Sequence, residues 1–131
     1  MRTLFLRVRQ QCSNAQQLAE YLEAHPNIER VHYPGLASDP GHTIAKRQMH
    51  GGFGGMLSVL VPGGRAEAIA VANRARIFKR ATSLGGVESL LEHRETSESE
   101  VTKTPENLIR VSVGIEAVED LLADWEWMLA G

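Results

Sequence analysis

Two amphipathic helical patterns bracket this chain and constrain its fold more than any other feature. Leu4, Val8, Cys12, Ala15, Leu18, Ala19 and Leu22 recur at steps of three and four. They share one face of a helix expected over residues 3–24. Val118, Leu121, Leu122, Trp125, Met128 and Leu129 form a second apolar stripe in a closing helix. An apolar stripe on a helix has to be buried against another layer, and the segments between the two helices read as strands. In residues 28–33, Ile28, Arg30 and His32 alternate against Glu29, Val31 and Tyr33. Met56–Val61 is an apolar run with β-branched residues, which suits a buried strand. Ile77–Ala81 and Leu108–Val113 are further strand candidates.

Punctuation separates these elements. Pro26 ends the first helix, because a proline disfavours helical geometry in the residue before it. Pro34-Gly35 and Pro62-Gly63-Gly64 are turns. His42–Met49 is expected to be a short helix and Arg65–Arg76 an alanine-rich one. Glu92–Glu106 is polar, charged and without periodicity, so an exposed loop is expected there. The order is helix, strand, helix, strand, helix, strand, loop, strand, helix. It predicts an α/β two-layer sandwich: one sheet of about four strands, with helices mainly on one face. Both terminal helices should lie on that face. At 131 residues the chain, residues 1–131, is read as a single domain. Strand order does not follow from the pattern.

Charge and cysteine content exclude several function classes. The formal net charge is −2, so nothing marks the chain as a partner of nucleic acid or a membrane surface. No apolar stretch approaches the ~18 residues of a membrane span. Arg7 and Arg9 interrupt any signal-peptide core near the start. The one cysteine, Cys12, cannot form an internal disulfide and fits a reducing compartment. It is read as a small core hydrophobe, and the chain as cytoplasmic.

Chemistry-bearing residues are sparse. The five histidines form no metal-ligand spacing, so no metal site is expected. Glu116, Glu119, Asp120, Asp124 and Glu126 are expected mostly on the solvent side of the closing helix, where early acidic residues suit the helix N-terminus. Gly51-Gly52-Phe53-Gly54-Gly55 lacks the Lys-Ser/Thr ending of a phosphate loop and runs into a strand. It is read as a turn that needs positive φ or close backbone approach. Two segments are sharper. Ser83-Leu84-Gly85-Gly86-Val87-Glu88-Ser89 is a polar, glycine-bearing loop after a strand, and such a loop can present N–H groups and hydroxyls to an anion. Arg110 lies mid-strand, on the face opposite Ile109, Val111 and Val113. A buried arginine needs an anionic partner, and its planar fork suits a carboxylate held by two hydrogen bonds. An internal salt bridge or an exposed sheet face would account for it equally well on pattern alone.

Four segments, in order, resemble the cystathionine γ-synthase/γ-lyase family. Residues 25–36, HPNIERVHYPGL, are similar to its "HP.V..V.YPGL" stretch. His42–Met49 followed by Gly52–Ser58 is similar to "H..A.RQM.GFGGM.S". Ser83–Leu90 matches "SLGGVESL", and Leu108–Glu116 resembles "LIRLSVGIE". The resemblance covers essentially the whole chain and implies the C-terminal domain of a pyridoxal-phosphate enzyme of transsulfuration and methionine biosynthesis. It implies that Arg110 binds the substrate α-carboxylate, with Ser83 and the backbone of Leu84 beside it. The family's catalytic lysine and cofactor contacts lie upstream of this region. Lys46, Lys79 and Lys103 are outside that motif, so no catalytic and no cofactor-binding residue is assigned here. Pyridoxal phosphate is expected in the parent enzyme but not on this chain alone. Thr82 stands where many γ-synthases and γ-lyases carry glutamate, which leaves the substrate open.

The reading is therefore the substrate-carboxylate-binding domain of an enzyme that eliminates or replaces groups on cystathionine, activated homoserine or a related sulfur amino acid. The chain is expected to be inert alone, and to pair with a missing N-terminal domain or with copies of itself. One alternative is a free-standing, non-catalytic module that acts by self-association or by pairing with another protein. Met1 directly precedes the helix that would follow the missing domain, which fits truncation, an expressed domain and a short gene alike. A weaker one is an orphan amino-acid-binding domain that uses Arg110 without chemistry.

Overall fold

The first helix begins where the spacing places it, but its apolar stripe meets the core only halfway along. In the computed structural model, which describes residues 1–131, α1 spans Leu4–Glu23. Its buried residues start at Gln11 and continue through Cys12, Asn14, Ala15, Leu18, Ala19 and Leu22. Leu4 and Val8 stay exposed, as do Phe5 and Leu6. With a rise of 1.5 Å per residue, roughly 10 Å of helix runs past the sheet before the core begins.

The remaining elements are β1 (Arg30–His32), α2 (His42–Gln48), β2 (Met56–Leu60), α3 (Arg65–Asn73), β3 (Lys79–Arg80), β4 (Leu90–His93), α4 (Arg94–Ser97), β5 (Leu108–Ser112) and α5 (Val118–Ala130). The strands form one sheet in the order β1-β2-β5-β4-β3. All pairings are antiparallel except the parallel β3–β4 pair. The α/β two-layer reading holds, with five strands in place of about four.

The added strand is β4, which begins just before the stretch expected to be a loop. Leu90, Leu91, Glu92 and His93 are all buried and pair with β5 from Leu90↔Ser112 to His93↔Ile109. The charge of Glu92 masked it. That carboxylate accepts hydrogen bonds from Arg94, Ser97 and Arg110, which offset the cost of burying it.

Strand alternation sorts the two faces. Leu57, Val59, Leu91, Ile109, Val111 and Val113 join residues of α1, α3 and α5 in one cluster of 22 buried side chains. Trp125 of α5 is fully buried within it and meets Phe78 edge-on, with ring centroids 6.1 Å apart. Both terminal helices thus share one face, as expected, and touch each other. The opposite face carries His32, Ser58, Arg110 and Glu92 in one cross-strand row.

The glycine-rich stretch behaves as a close-approach turn. Gly52 sits at φ +145°, and a Cβ there would stand 2.6 Å from the Cβ of Cys12. Cys12 itself is buried, as a small core residue. Two carboxylates near the closing helix depart from expectation. Asp124 is buried and accepts hydrogen bonds from the backbone of Arg76, Ile77 and Phe78. Glu116, just before α5, accepts from the Ser89 amide and hydroxyl. Both ends of the 77–89 connection are therefore tied to the closing segment, a long-range role that helical spacing does not reveal. Glu119, Asp120 and Glu126 are exposed as expected. The Tyr21 hydroxyl donates to Glu126 and holds its carboxyl below the usual range, with nearby His25 adding to this. Burial, then Glu126, push the Tyr21 hydroxyl up to about 12.

Candidate functional site

Arg110 occupies the middle of the central strand on the face that no core helix covers. Its cross-strand neighbours are Ser58 on β2 and Glu92 on β4. The side chain is 19% exposed, so its charge is only partly hydrated. Nη1 donates to Glu92 Oε1 at 3.1 Å and to the Thr82 carbonyl at 2.9 Å. Every hydrogen bond the guanidinium makes within the chain uses that one nitrogen; Nε and Nη2 make none. A cavity of about 220 Å³ lined by His32, Met56, Leu57, Ser58 and Arg110 opens beside it.

Glu92 is shared rather than dedicated to Arg110. Arg94 Nη1 donates to its Oε1 at 2.7 Å and Ser97 Oγ to its Oε2 at 2.9 Å. The internal salt bridge that could have explained Arg110 is therefore present in part. It is a contact through one nitrogen, not the two-pronged clamp of a purely structural arginine. Two donor positions of the fork remain for a second carboxylate.

The loop after β3 lies alongside. Arg110 reaches it at Thr82, one residue before Ser83, and no hydrogen bond joins Arg110 to Ser83 or Leu84 directly. The Ser83 hydroxyl has no partner within the chain, and Leu84 is 58% exposed. Gly85 is left-handed at φ +78°. Its N–H donates to Ser112 Oγ at 3.3 Å, and Gln11 Nε2 donates to the carbonyls of Gly85 at 3.3 Å and Gly86 at 2.8 Å. Further on, Ile115 N–H donates to Val87 O and Gly114 N–H to Ser89 Oγ. Sequence reasoning singled out Arg110, Ser83 and Leu84. It missed Glu92, Gln11 and Ser112, which fix the surroundings. For Glu92 a signal existed in the adjacent apolar pair Leu90-Leu91. For Gln11, about 75 residues from the loop, there was none.

Lysine placement bears on the cofactor. Lys46, Lys79 and Lys103 are all exposed. Lys79 is paired with Glu88 at 2.7 Å, and that hydrogen bond holds its ammonium charged, above the ordinary lysine value. A lysine that bonds covalently to an aldehyde must instead be neutral and shielded. The lysines of this chain do not fit pyridoxal phosphate, and no step is assigned through it here. No group of three or more His, Cys, Asp or Glu side chains could hold a metal ion. No helix is long and apolar enough to cross a membrane.

The family model described as "Cys/Met metabolism PLP-dependent enzyme" matches residues 1–130. The chain belongs to this family. It is 47% identical over 135 residues to the cystathionine gamma-synthase of Mycobacterium tuberculosis H37Rv, covering 98% of this chain and 34% of that protein. The match to the cystathionine beta-lyase of Coxiella burnetii is 46% identical, covering 96% of this chain and 34% of that one. Among solved structures, metB from Corynebacterium glutamicum superposes with a TM-score of 0.90 at 43% identity, over 98% of this chain and 34% of that chain. The chain thus spans about a third of the length of the relatives it matches and corresponds to their C-terminal part.

Proposed function

We propose that this chain forms the substrate-carboxylate-binding part of a PLP-dependent enzyme of sulfur amino-acid metabolism. The observation that carries the reading is Arg110: a partly buried guanidinium beside a cavity, with Nε and Nη2 unused by the protein. An α-carboxylate would accept from both in a two-pronged bond. Ser83, with its free hydroxyl, and the backbone of Leu84 would flank it. Glu92 and the Thr82 carbonyl hold Nη1, so the fork is oriented before the ligand arrives. The substrate class is cystathionine, an activated homoserine or a related sulfur amino acid, undergoing elimination or replacement. The cofactor, held by another part of the enzyme, would supply the electron sink. This chain would hold and orient the substrate in a cytoplasmic enzyme.

The test is to join residues 1–131 to the N-terminal two-thirds of the mycobacterial relative and measure turnover of cystathionine and activated homoserine. Turnover that depends on Arg110 supports the reading. A folded chimera whose KM is the same with and without Arg110 refutes it. The isolated chain is expected to be inert and to form no stoichiometric borohydride-reducible adduct with pyridoxal phosphate. A single lysine labelled in full, with turnover, would reverse that expectation.

A specific feature also favours association. Phe5 is 70% and Leu6 65% exposed on the projecting part of α1, next to exposed Leu4 and Val8. Exposed apolar patches of this kind mark contact surfaces. The partner would be the rest of the enzyme or a second copy. Without the rest, the chain should sediment as a dimer or larger at tens of micromolar, roughly where weak apolar contacts act. A clean monomer at that concentration would count against it.

A further inference from the structure

The loop carrying Ser83 and Leu84 is anchored on both sides, and one anchor comes from the far end of the sequence. On one side Arg110 Nη1 holds the Thr82 carbonyl. On the other, Gln11 Nε2 holds the carbonyls of Gly85 and Gly86, while Ser112 Oγ accepts the Gly85 N–H. Only Ser83 and Leu84 lie between the anchors. The Gly85 N–H belongs to the Leu84–Gly85 peptide, so its bond to Ser112 sets which way that peptide plane faces. The Gly85 carbonyl, bound to Gln11, sets the next plane. Gly85 sits between them at φ +78°, a left-handed conformation that glycine adopts without steric cost.

Gln11 is placed for this and for little else. It is 5% exposed, the first buried residue of α1, where the projecting helix meets the sheet. Its amide passes beside Gly55, where a Cβ would stand 3.3 Å from the Gln11 Cβ. The Gly55 carbonyl in turn accepts from Val113 N–H at 2.8 Å, at the end of β5. The side chain thus threads between the glycine-rich stretch and the loop, and both hydrogen bonds of its buried amide nitrogen go to loop carbonyls. An apolar residue would fill the same space without holding them.

We propose that Gln11 is a positioning residue for the carboxylate site, acting through Gly85 and Gly86 to set Leu84 and Ser83 against Arg110. This rests on the reading of Arg110 given above. It predicts that removing the amide donor weakens ligand binding while leaving the fold in place.

The experiment uses the full 131-residue chain, isotope-labelled, titrated with L-cystathionine and followed at the Ser83, Leu84 and Gly85 amides and the Arg110 guanidinium. The unmodified chain should show saturable shifts. Gln11→Met, close to isosteric, and Gln11→Glu, which lacks the donor, should each raise Kd at least about fivefold, a difference near 1 kcal/mol. The thermal midpoint of Gln11→Met should stay close to that of the unmodified chain, because Gly85 and Gly86 are exposed and their carbonyls can turn to water. Gln11→Glu places a carboxylate against those carbonyls at a buried position and should melt lower. Ser112→Ala removes the other anchor without touching α1, and should raise Kd in the same direction even if a Gln11 variant unfolds. Arg110→Ala should abolish the shifts. If it does so while Gln11→Met and Ser112→Ala leave Kd unchanged, the positioning role is wrong and the carboxylate site stands. If the unmodified chain shows no saturable shift, or Arg110→Ala makes no difference, the site reading fails and this inference with it.

Discussion

Asp124→Ala is expected to lower folding stability by about 3–5 kcal/mol. The carboxylate is only 4% exposed and accepts three backbone hydrogen bonds, from Arg76 at 2.9 Å, Ile77 at 2.9 Å and Phe78 at 3.0 Å. Those residues turn the chain from α3 into β3 and set Phe78 edge-on to Trp125. Alanine would leave three N–H groups facing a gap, one of them fully buried, and an unmade buried hydrogen bond costs about 1–3 kcal/mol. The thermal midpoint should fall by roughly 10 °C or more. Asp124→Asn keeps the shape and one acceptor oxygen and should lie between. Asp120→Ala and Glu119→Ala, on the exposed side of the same helix, should stay within about 0.5 kcal/mol of the unmodified chain. Asp124→Ala melting together with these two would show that the buried carboxylate carries no such load.

Asp124 also shows where sequence reading stops. Helical spacing sorts residues by face, and it located the Leu121, Trp125 and Met128 stripe correctly. A face average cannot say that one acidic residue at its border serves backbone N–H groups 46 to 48 positions away. The same limit hid β4. A strand that carries Glu92 and His93 reads as polar until its partners are known, and those partners are Arg110 from β5 and Arg94 and Ser97 from the turn beyond. By contrast, β2 was legible as an apolar run with β-branched residues, and β5 because Ile109, Val111 and Val113 share one face. The site divides along the same line. Arg110 stood out because a charge in an apolar strand needs explaining from local pattern alone. Gln11 and Ser112 act only through a loop the sequence does not bring near them.

Arg110→Ala, made in the chimeric enzyme, is expected to lower kcat/KM by roughly 10²–10³-fold, mainly through KM. That is the cost of two charge-assisted hydrogen bonds to a carboxylate, about 1.5–3 kcal/mol each before partial compensation by water. Stability should change much less. Removing one partner of a buried ion pair usually costs ~3–5 kcal/mol because the other charge is left uncompensated. Here Glu92 keeps Arg94 at 2.7 Å and Ser97 at 2.9 Å, so the loss should be nearer ~1 kcal/mol. Arg110→Lys separates the two roles. A lysine ammonium can still reach Glu92 and the Thr82 carbonyl as a point charge, which would preserve the fold. It lacks the planar fork, so KM should remain high. Were Arg110 purely structural, lysine would restore activity along with stability, and alanine would lower activity only as far as it unfolds the protein. Loss of binding with the fold intact, in both variants, is what a carboxylate anchor requires. A lysine variant with normal KM would remove that role from Arg110.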